Sequence, residues 1–207
     1  MILKDYFEKL KGIRVLAKAD KSGNVDVAIY SRPALIAVAL LIVLILFGCS
    51  SVSIVDYKDE KPSLILEDYL NGTFDAYGLF INRKGQVTRR MHVVMKASWT
   101  GDIGVLDEDF TWSDGEKQKR IWHLKKISPT KYEGRAEDVV GVAQGEVSGN
   151  AFHWEYTLAV KVNESVYNFS FDDWMYLMND QVLINSAEMS KFGLTVGRIN
   201  IVFLKRK

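Results

Sequence analysis

Cysteine is almost missing from this 207-residue chain, which holds Cys49 and no other. A lone thiol closes no disulfide within the chain and supplies no Cys-x-x-Cys ligand pair for zinc. Proline is nearly as scarce, at Pro33, Pro62 and Pro129. Histidine is limited to His92, His123 and His153, each in a different alternating segment and each on its polar side. A zinc or histidine-based catalytic site needs such residues to converge, so neither a metal nor a cofactor is expected. The Gly-x-Ser-x-Gly elbow of serine hydrolases is also missing. Charge of one sign is lacking too. The net charge is +1, and the residues after Cys49 include 20 basic and 22 acidic ones. Nucleic-acid binding leaves a basic footprint, so no such partner is expected.

What the chain does have is one long apolar run, Ala34 to Gly48, without a charge. As a helix it would measure roughly 22 Å, short of the ~30 Å hydrocarbon core and closer to the apolar region of a signal peptide. Arg32 precedes it, which keeps that end cytoplasmic. Leu46-Phe47-Gly48-Cys49 resembles the bacterial lipobox. The resemblance implies peptidase recognition at Leu46 and Gly48, lipidation of Cys49, and a bacterial envelope protein held to the membrane by its lipidated N-terminus and facing the periplasm. Ser50 after the cysteine resembles lipoproteins sorted to the outer membrane. The alternative is an uncleaved helix over residues 34–55, which would place the protein in the inner membrane.

The first 33 residues read as an atypical leader. They hold seven basic and four acidic residues, with a short amphipathic helix at Asp5 to Lys11. Two strands follow, Ile13 to Ala17 and Val25 to Tyr30, joined by the turn Lys21-Ser22-Gly23-Asn24. This segment, through VLAKADKSGNVDVAIYSRP, resembles the opening of the pyridoxamine 5′-phosphate oxidase-like split barrels. The likeness stops at Pro33, and no flavin site comes with it. The leader is read as a fusion remnant, or as lying upstream of a true start near Val27. Residues 34–49 are then the signal region, 50–66 a polar linker with a short helix, and 67–207 the folded domain.

From Thr73 on, the pattern has period two, the signature of strands with one dry and one wet face. Val87, Met91, Val93, Met95, Ala97 and Trp99 share one side of a strand, with Arg89 as the exception, while Thr88, Arg90, His92, Lys96 and Ser98 share the other. Turn signals recur every ten to sixteen residues, from Lys84-Gly85 to Asn179-Asp180. About ten strands result, which predicts an all-β fold: a single antiparallel, calycin- or lipocalin-like barrel preceded by the short helix and the N-terminal signal or membrane helix. The stretches LNGTFDAYGLF, LDEDFTWSDGEKQKRIWHL, YEGRAEDVVGVAQGEVSGNAFHWEYTL and DDWMYLMNDQVLINSAEMSKFGLTVGRI resemble an uncharacterised bacterial lipoprotein family, domain of unknown function 3833. That resemblance implies a calycin-like envelope lipoprotein and brings no catalytic residues.

Candidate binding residues follow from the barrel. Adjacent strand residues face opposite sides, so of Asp172 and Asp173 at most one points inward, to pair with Arg90 or Arg120 or to meet a ligand head group. The other reading is a charged turn or a buried ion pair. Trp99, Trp112, Trp122, Trp154 and Trp174 either line an apolar cavity or simply fill the barrel. Glu188 to Lys191 reads as a short helix at the barrel mouth, Glu188 and Lys191 being lid contacts or a solvated i,i+3 pair. Asp107-Glu108-Asp109 beside Lys117, Lys119 and Arg120 reads as cross-strand charge pairing rather than chemistry. The ligand-contacting set is thus Trp99, Arg120, Trp122, Trp154, Asp173, Trp174, Glu188 and Lys191. Three functions stay open at this stage: a carrier of a fatty-acyl or other lipid ligand, an enzyme or accessory factor in acyl-chain modification using Asp173, Arg120 or Glu188, and a structural module with a filled barrel.

Overall fold

The computed structural model describes residues 52–207 except Asn163, together with the strands β1 (Ile13–Ala19) and β2 (Val25–Ser31). The expected helix at 5–11, the turn at 21–24 and the apolar run with Leu46, Gly48 and Cys49 lie outside the described residues. β1 and β2 pair antiparallel, from Ile13 opposite Ser31 to Ala19 opposite Val25. They form a unit separate from the rest.

The second unit is a closed barrel of ten strands: β3 (Gly72–Asn82), β4 (Val87–Thr100), β5 (Ile103–Trp112), β6 (Lys117–Lys126), β7 (Lys131–Arg135), β8 (Ala143–Ser148), β9 (Ala151–Val162), β10 (Ser165–Leu177), β11 (Val182–Lys191) and β12 (Leu194–Lys205). Every pairing is antiparallel and joins strands adjacent in sequence, and β12 returns to pair with β3. Up-and-down connectivity of this kind needs only tight hairpins. Gly101 and Gly115, at φ +59° and +88°, supply the left-handed backbone at two of them. Closure leaves no strand edge unpaired, so the all-β antiparallel barrel expected from the alternation is what the chain forms.

The alternation also decides what lies inside. On β4, Met91, Val93, Met95 and Ala97 are buried; on β9, Phe152, Trp154 and Leu158; on β10, Phe171 and Leu177. Two inward-facing glycines on neighbouring strands let the Trp154 ring lie against backbone. A Cβ on Gly134 would stand 2.5 Å from the Trp154 ring, and one on Gly145 would collide with both Trp154 and Phe152.

One end of the barrel is stoppered by residues 62–71. The helix there, α1 (Leu66–Tyr69), is a single turn rather than the two turns expected from Ser63 to Leu70. Leu64, Leu66, Tyr69 and Leu70 are all buried. Polar contacts seat the stopper on three separate hairpin ends. The Leu64 N–H donates to the Gly149 carbonyl at 2.7 Å, Tyr132 Oη donates to Glu67 Oε2 at 2.7 Å, the Tyr69 hydroxyl donates to the Gln181 carbonyl at 3.4 Å, and Lys126 pairs with Glu67. The supposed linker joins in: a 3₁₀ turn at Ile54–Tyr57 puts the Tyr57 ring 5.7 Å from Trp174 and 5.4 Å from Tyr176. Aromatic Tyr57, between Asp56 and Lys58, provides the anchorage that the composition of 50–61 obscured. The other end carries the hairpins at 83–86, 113–116 and 192–193 and the segment 136–142.

Candidate functional site

Between stopper and open end lies a cavity of about 620 Å³. Leu70 lies at its stoppered end, and Phe80, Arg89 and Trp112 line it toward the open end. Arg89, the exception on the apolar face of β4, does point inward. Its guanidinium stacks 4.1 Å over Trp112 and donates to Asp114 (2.9 Å) and Glu116 (2.7 Å) at the rim.

Most of the wall is apolar and aromatic. Trp122 and Trp154 stand edge to face at 5.7 Å, and Tyr156 lies 5.5 Å from Trp122 and stacks on Phe171 at 5.1 Å. Across this wall runs a group of five polar side chains, four of them placed by strand parity. Glu108 on β5 faces inward with Leu106 and Phe110, Arg120 on β6 with Trp122 and Leu124, Asp173 on β10 with Phe171 and Met175, and Asn185 on β11 with Leu183 and Ala187. The fifth, Asp138, comes from the segment between β7 and β8. It accepts from Arg120 Nη2 at 2.7 Å and from Arg120 Nε at 3.1 Å on each oxygen, a bidentate pair of the strong kind.

Asp173 is 5% exposed and accepts from the Tyr156 hydroxyl at 3.0 Å and from Asn185 Nδ2. Burial nonetheless raises its carboxyl to about 6, against those two hydrogen bonds. Glu108 is 8% exposed and sits directly across the strand pair from Arg120. Burial pushes it to about 7; Arg120 pulls the other way, while Asp138 and Asp173 add to the rise.

These two acids set an unusual pH dependence. Their ordinary values are 4.5 and 3.8, so the native state holds protons that the unfolded chain releases. Stability is therefore full below about pH 4 with respect to these groups and is lost as pH rises through about 6 and 7. Outside the barrel Asp75, bonded to Arg206 and His92, is held far below the ordinary carboxylate range, and its contribution is lost only as pH falls below that range. Chemical denaturation between pH 5 and 8 should show the wild type weakening by a few kcal/mol. The double variant Glu108→Gln/Asp173→Asn should be flat over the same interval, and an equal slope in both proteins would refute the assignment.

Of the residues expected to touch a ligand, Arg120, Trp122, Trp154 and Asp173 line the cavity. Four do not. Trp174 is the strand neighbour of Asp173 and so faces outward, stacked on His153 at 4.2 Å. Trp99 lies toward the stoppered end, over Gly104 and edge-on to Tyr132 at 6.2 Å. Glu188 and Lys191 belong to β11, not to a helix; Glu188 faces outward to Thr195 (2.6 Å) and Arg198 (3.2 Å). Lys191 sits 4.1 Å above the Tyr167 ring at the open end. A register shift between Met189 and Ser190 interrupts the alternation there, which is why the segment looked unlike a strand. His92 and His153 pair with Asp75 and Asp172 on the outer face, and His123 is exposed there.

Glu108, Asp138, Tyr156 and Asn185 were not foreseen. Glu108 shares the parity of Leu106, Phe110 and Trp112, the one signal that marked it as internal. The charge pairing expected of its triplet does occur, but through Asp107 and Asp109, which both reach Lys119 on the outside.

A family model described as "Protein of unknown function (DUF3833)" matches residues 43–205. No curated protein matches the chain. Among solved structures, an S-type phycobiliprotein lyase from Guillardia theta is similar at TM-score 0.52 and 8% identity, over 68% of this chain and 90% of that one. A structure of EF1p2_mFAP2b bound to DFHBI is similar at TM-score 0.37 and 10% identity, over 67% and 94%.

Proposed function

On the premise that this chain belongs to the DUF3833 family of proteins of unknown function, we propose that its barrel binds and carries a small molecule with an apolar body. The single observation that supports this best is the cavity itself. A barrel that only needed to be stable would fill such a space, since voids of this size weaken a core. Here Met, Phe and Trp side chains line it and a few polar groups converge at one level, the usual composition of a small-molecule site. The phycobiliprotein lyase shares the fold, and its name is that of a protein acting on phycobiliproteins. That is consistent with a ligand-handling barrel but assigns no ligand here.

We place the protein in the bacterial envelope, tethered through a lipidated Cys49 with the barrel facing the periplasm, on the strength of the lipobox-like Leu46-Phe47-Gly48-Cys49. A lipid-derived or fatty-acyl ligand suits that setting. Native mass spectrometry of protein extracted from its own membrane tests anchor and cargo together. The expected species begins at diacylglyceryl-modified Cys49 and carries an apolar adduct. The adduct should disappear in Ala187→Trp, which puts an indole into the space that Ala187 lines. An adduct retained by Ala187→Trp would place the ligand elsewhere, and a chain beginning at Met1 would remove the lipoprotein assignment.

A further inference from the structure

The cavity's polar groups are unbalanced in sign. Three carboxyl groups face its interior region, from Glu108, Asp138 and Asp173, against one guanidinium, Arg120. The remaining charged lining residues are Arg89, Glu116 and Lys161, and the first two are already paired with each other at the rim. Arg120 is no free anion receptor: two of its nitrogens are committed to Asp138. Asp173 is likewise satisfied on both oxygens by Tyr156 and Asn185. Glu108 is the exception. Among the described residues nothing donates a hydrogen bond to it, although it is more than nine-tenths buried and lines the cavity. Unpartnered polar groups in that position cost stability, and a ligand that donates to Glu108 supplies the hydrogen bonds that the protein's own side chains do not.

We propose that the ligand carries a positively charged amino head, which lodges against Glu108 with Asp138 and Asp173 forming the rest of an anionic shell, while its apolar body lies along Trp122, Trp154 and Phe171. The proposal rests on the reading of the cavity as a binding site and narrows its ligand class. An ammonium group donates up to three hydrogen bonds and carries the charge the shell is missing. A carboxylate head would instead be a fourth anion beside one guanidinium that already has its partner. Anions brought together out of water are costly, so free fatty acids are disfavoured and amine-bearing apolar molecules are selected. Binding draws the proton from Glu108, whose surroundings are Arg120, Asp138 and Asp173, with Tyr156 and Asn185 as the neutral polar neighbours and Asp107 behind it on the outer face.

Three probes with the same twelve-carbon tail separate the cases: dodecylamine, dodecanol and dodecanoate. Each competes against the neutral fluorophore N-phenyl-1-naphthylamine for the full-length protein in nanodiscs, with empty nanodiscs as the reference. At pH ~7 dodecylamine is expected to bind about tenfold tighter than dodecanol and about a hundredfold tighter than dodecanoate. Glu108→Gln should shrink the amine-over-alcohol preference to about twofold. Calorimetry in buffers of different ionisation enthalpy should show proton release on amine binding and not on alcohol binding. Equal affinity for all three, or tighter binding of dodecanoate, would overturn the ammonium assignment while leaving the carrier reading intact. Failure of all three to displace the fluorophore, or of the fluorophore to bind, would sink the carrier reading itself. An amine preference unchanged in Glu108→Gln would refute the role given to that residue.

Discussion

Trp154→Ala is expected to destabilise the barrel by about 3–5 kcal/mol, which lowers the thermal midpoint by roughly 10 °C for a domain of this size. The ring is buried at 4% exposure and sits at the meeting point of four strands. It packs on Trp122 from β6 and on Phe152 from its own strand, and it lies against Gly134 of β7 and Gly145 of β8. Removing it leaves a void that those glycines cannot fill. A coupled effect gives the sharper test. Gly134→Ala in the wild type forces a methyl against the indole and should cost about 1–3 kcal/mol. In the Trp154→Ala background the same methyl still meets Leu124 Cδ2, at 3.0 Å, but that flexible side chain has the vacated space to move into, so the cost should be much smaller and the double-mutant cycle carries a large interaction energy. Equal cost in both backgrounds would show that the indole does not set the size limit at Gly134.

Asp138→Ala should be nearly as harmful, and its penalty should depend on pH. Deleting one partner of this half-buried pair strands the other, at a cost toward the low end of the about 3–5 kcal/mol that a fully buried pair shows. Arg120 then keeps Glu108, directly across the strand pair, as its nearby acidic partner. Glu108 takes over as counterion and titrates lower than in the wild type, so the variant loses Glu108's share of the fall in stability that the wild type suffers as pH rises and keeps that of Asp173. The penalty is therefore largest near pH 5 and shrinks toward pH 8, by a few kcal/mol if the transfer is complete. Adding Glu108→Gln should abolish that shrinkage. Denaturant titrations of the four proteins at three pH values decide it, and a pH-independent penalty would mean that Arg120 and Glu108 do not interact.

Several features of this architecture are legible residue by residue. The period-two runs at Val87 to Trp99 and at Trp154 to Val162 carry their burial in the letters, since one face must be dry, and Arg89 stood out there for a reason the structure supplies. The same parity, applied strictly, separates Asp173 from Trp174: once the acid points in, the indole beside it must point out. Glu108 escaped because its neighbours Asp107 and Asp109 are acidic too, and a run of like charges looks solvated unless each residue is assigned a face. Asp138 had no periodic signal, because it lies in an irregular segment and finds Arg120 only through the fold. The Tyr57 contact was hidden for a related reason, since one aromatic in a polar stretch does not announce a packed turn.

The pairing of β12 with β3 joins segments that begin at Gly72 and end at Lys205. During synthesis β3 leaves the ribosome with one side unpaired and keeps it so until the last strand has emerged. Every intermediate on the way therefore exposes two open edges, the first strand's and the newest one's, and an apolar inner face with nothing to cover it. All-β domains closed by such a non-local contact fold on the order of milliseconds to seconds, while open edges invite pairing between molecules. A nascent chain of this protein thus depends on protection until residue 205 is made, and a truncation that removes β12 yields an aggregating sheet rather than a smaller barrel.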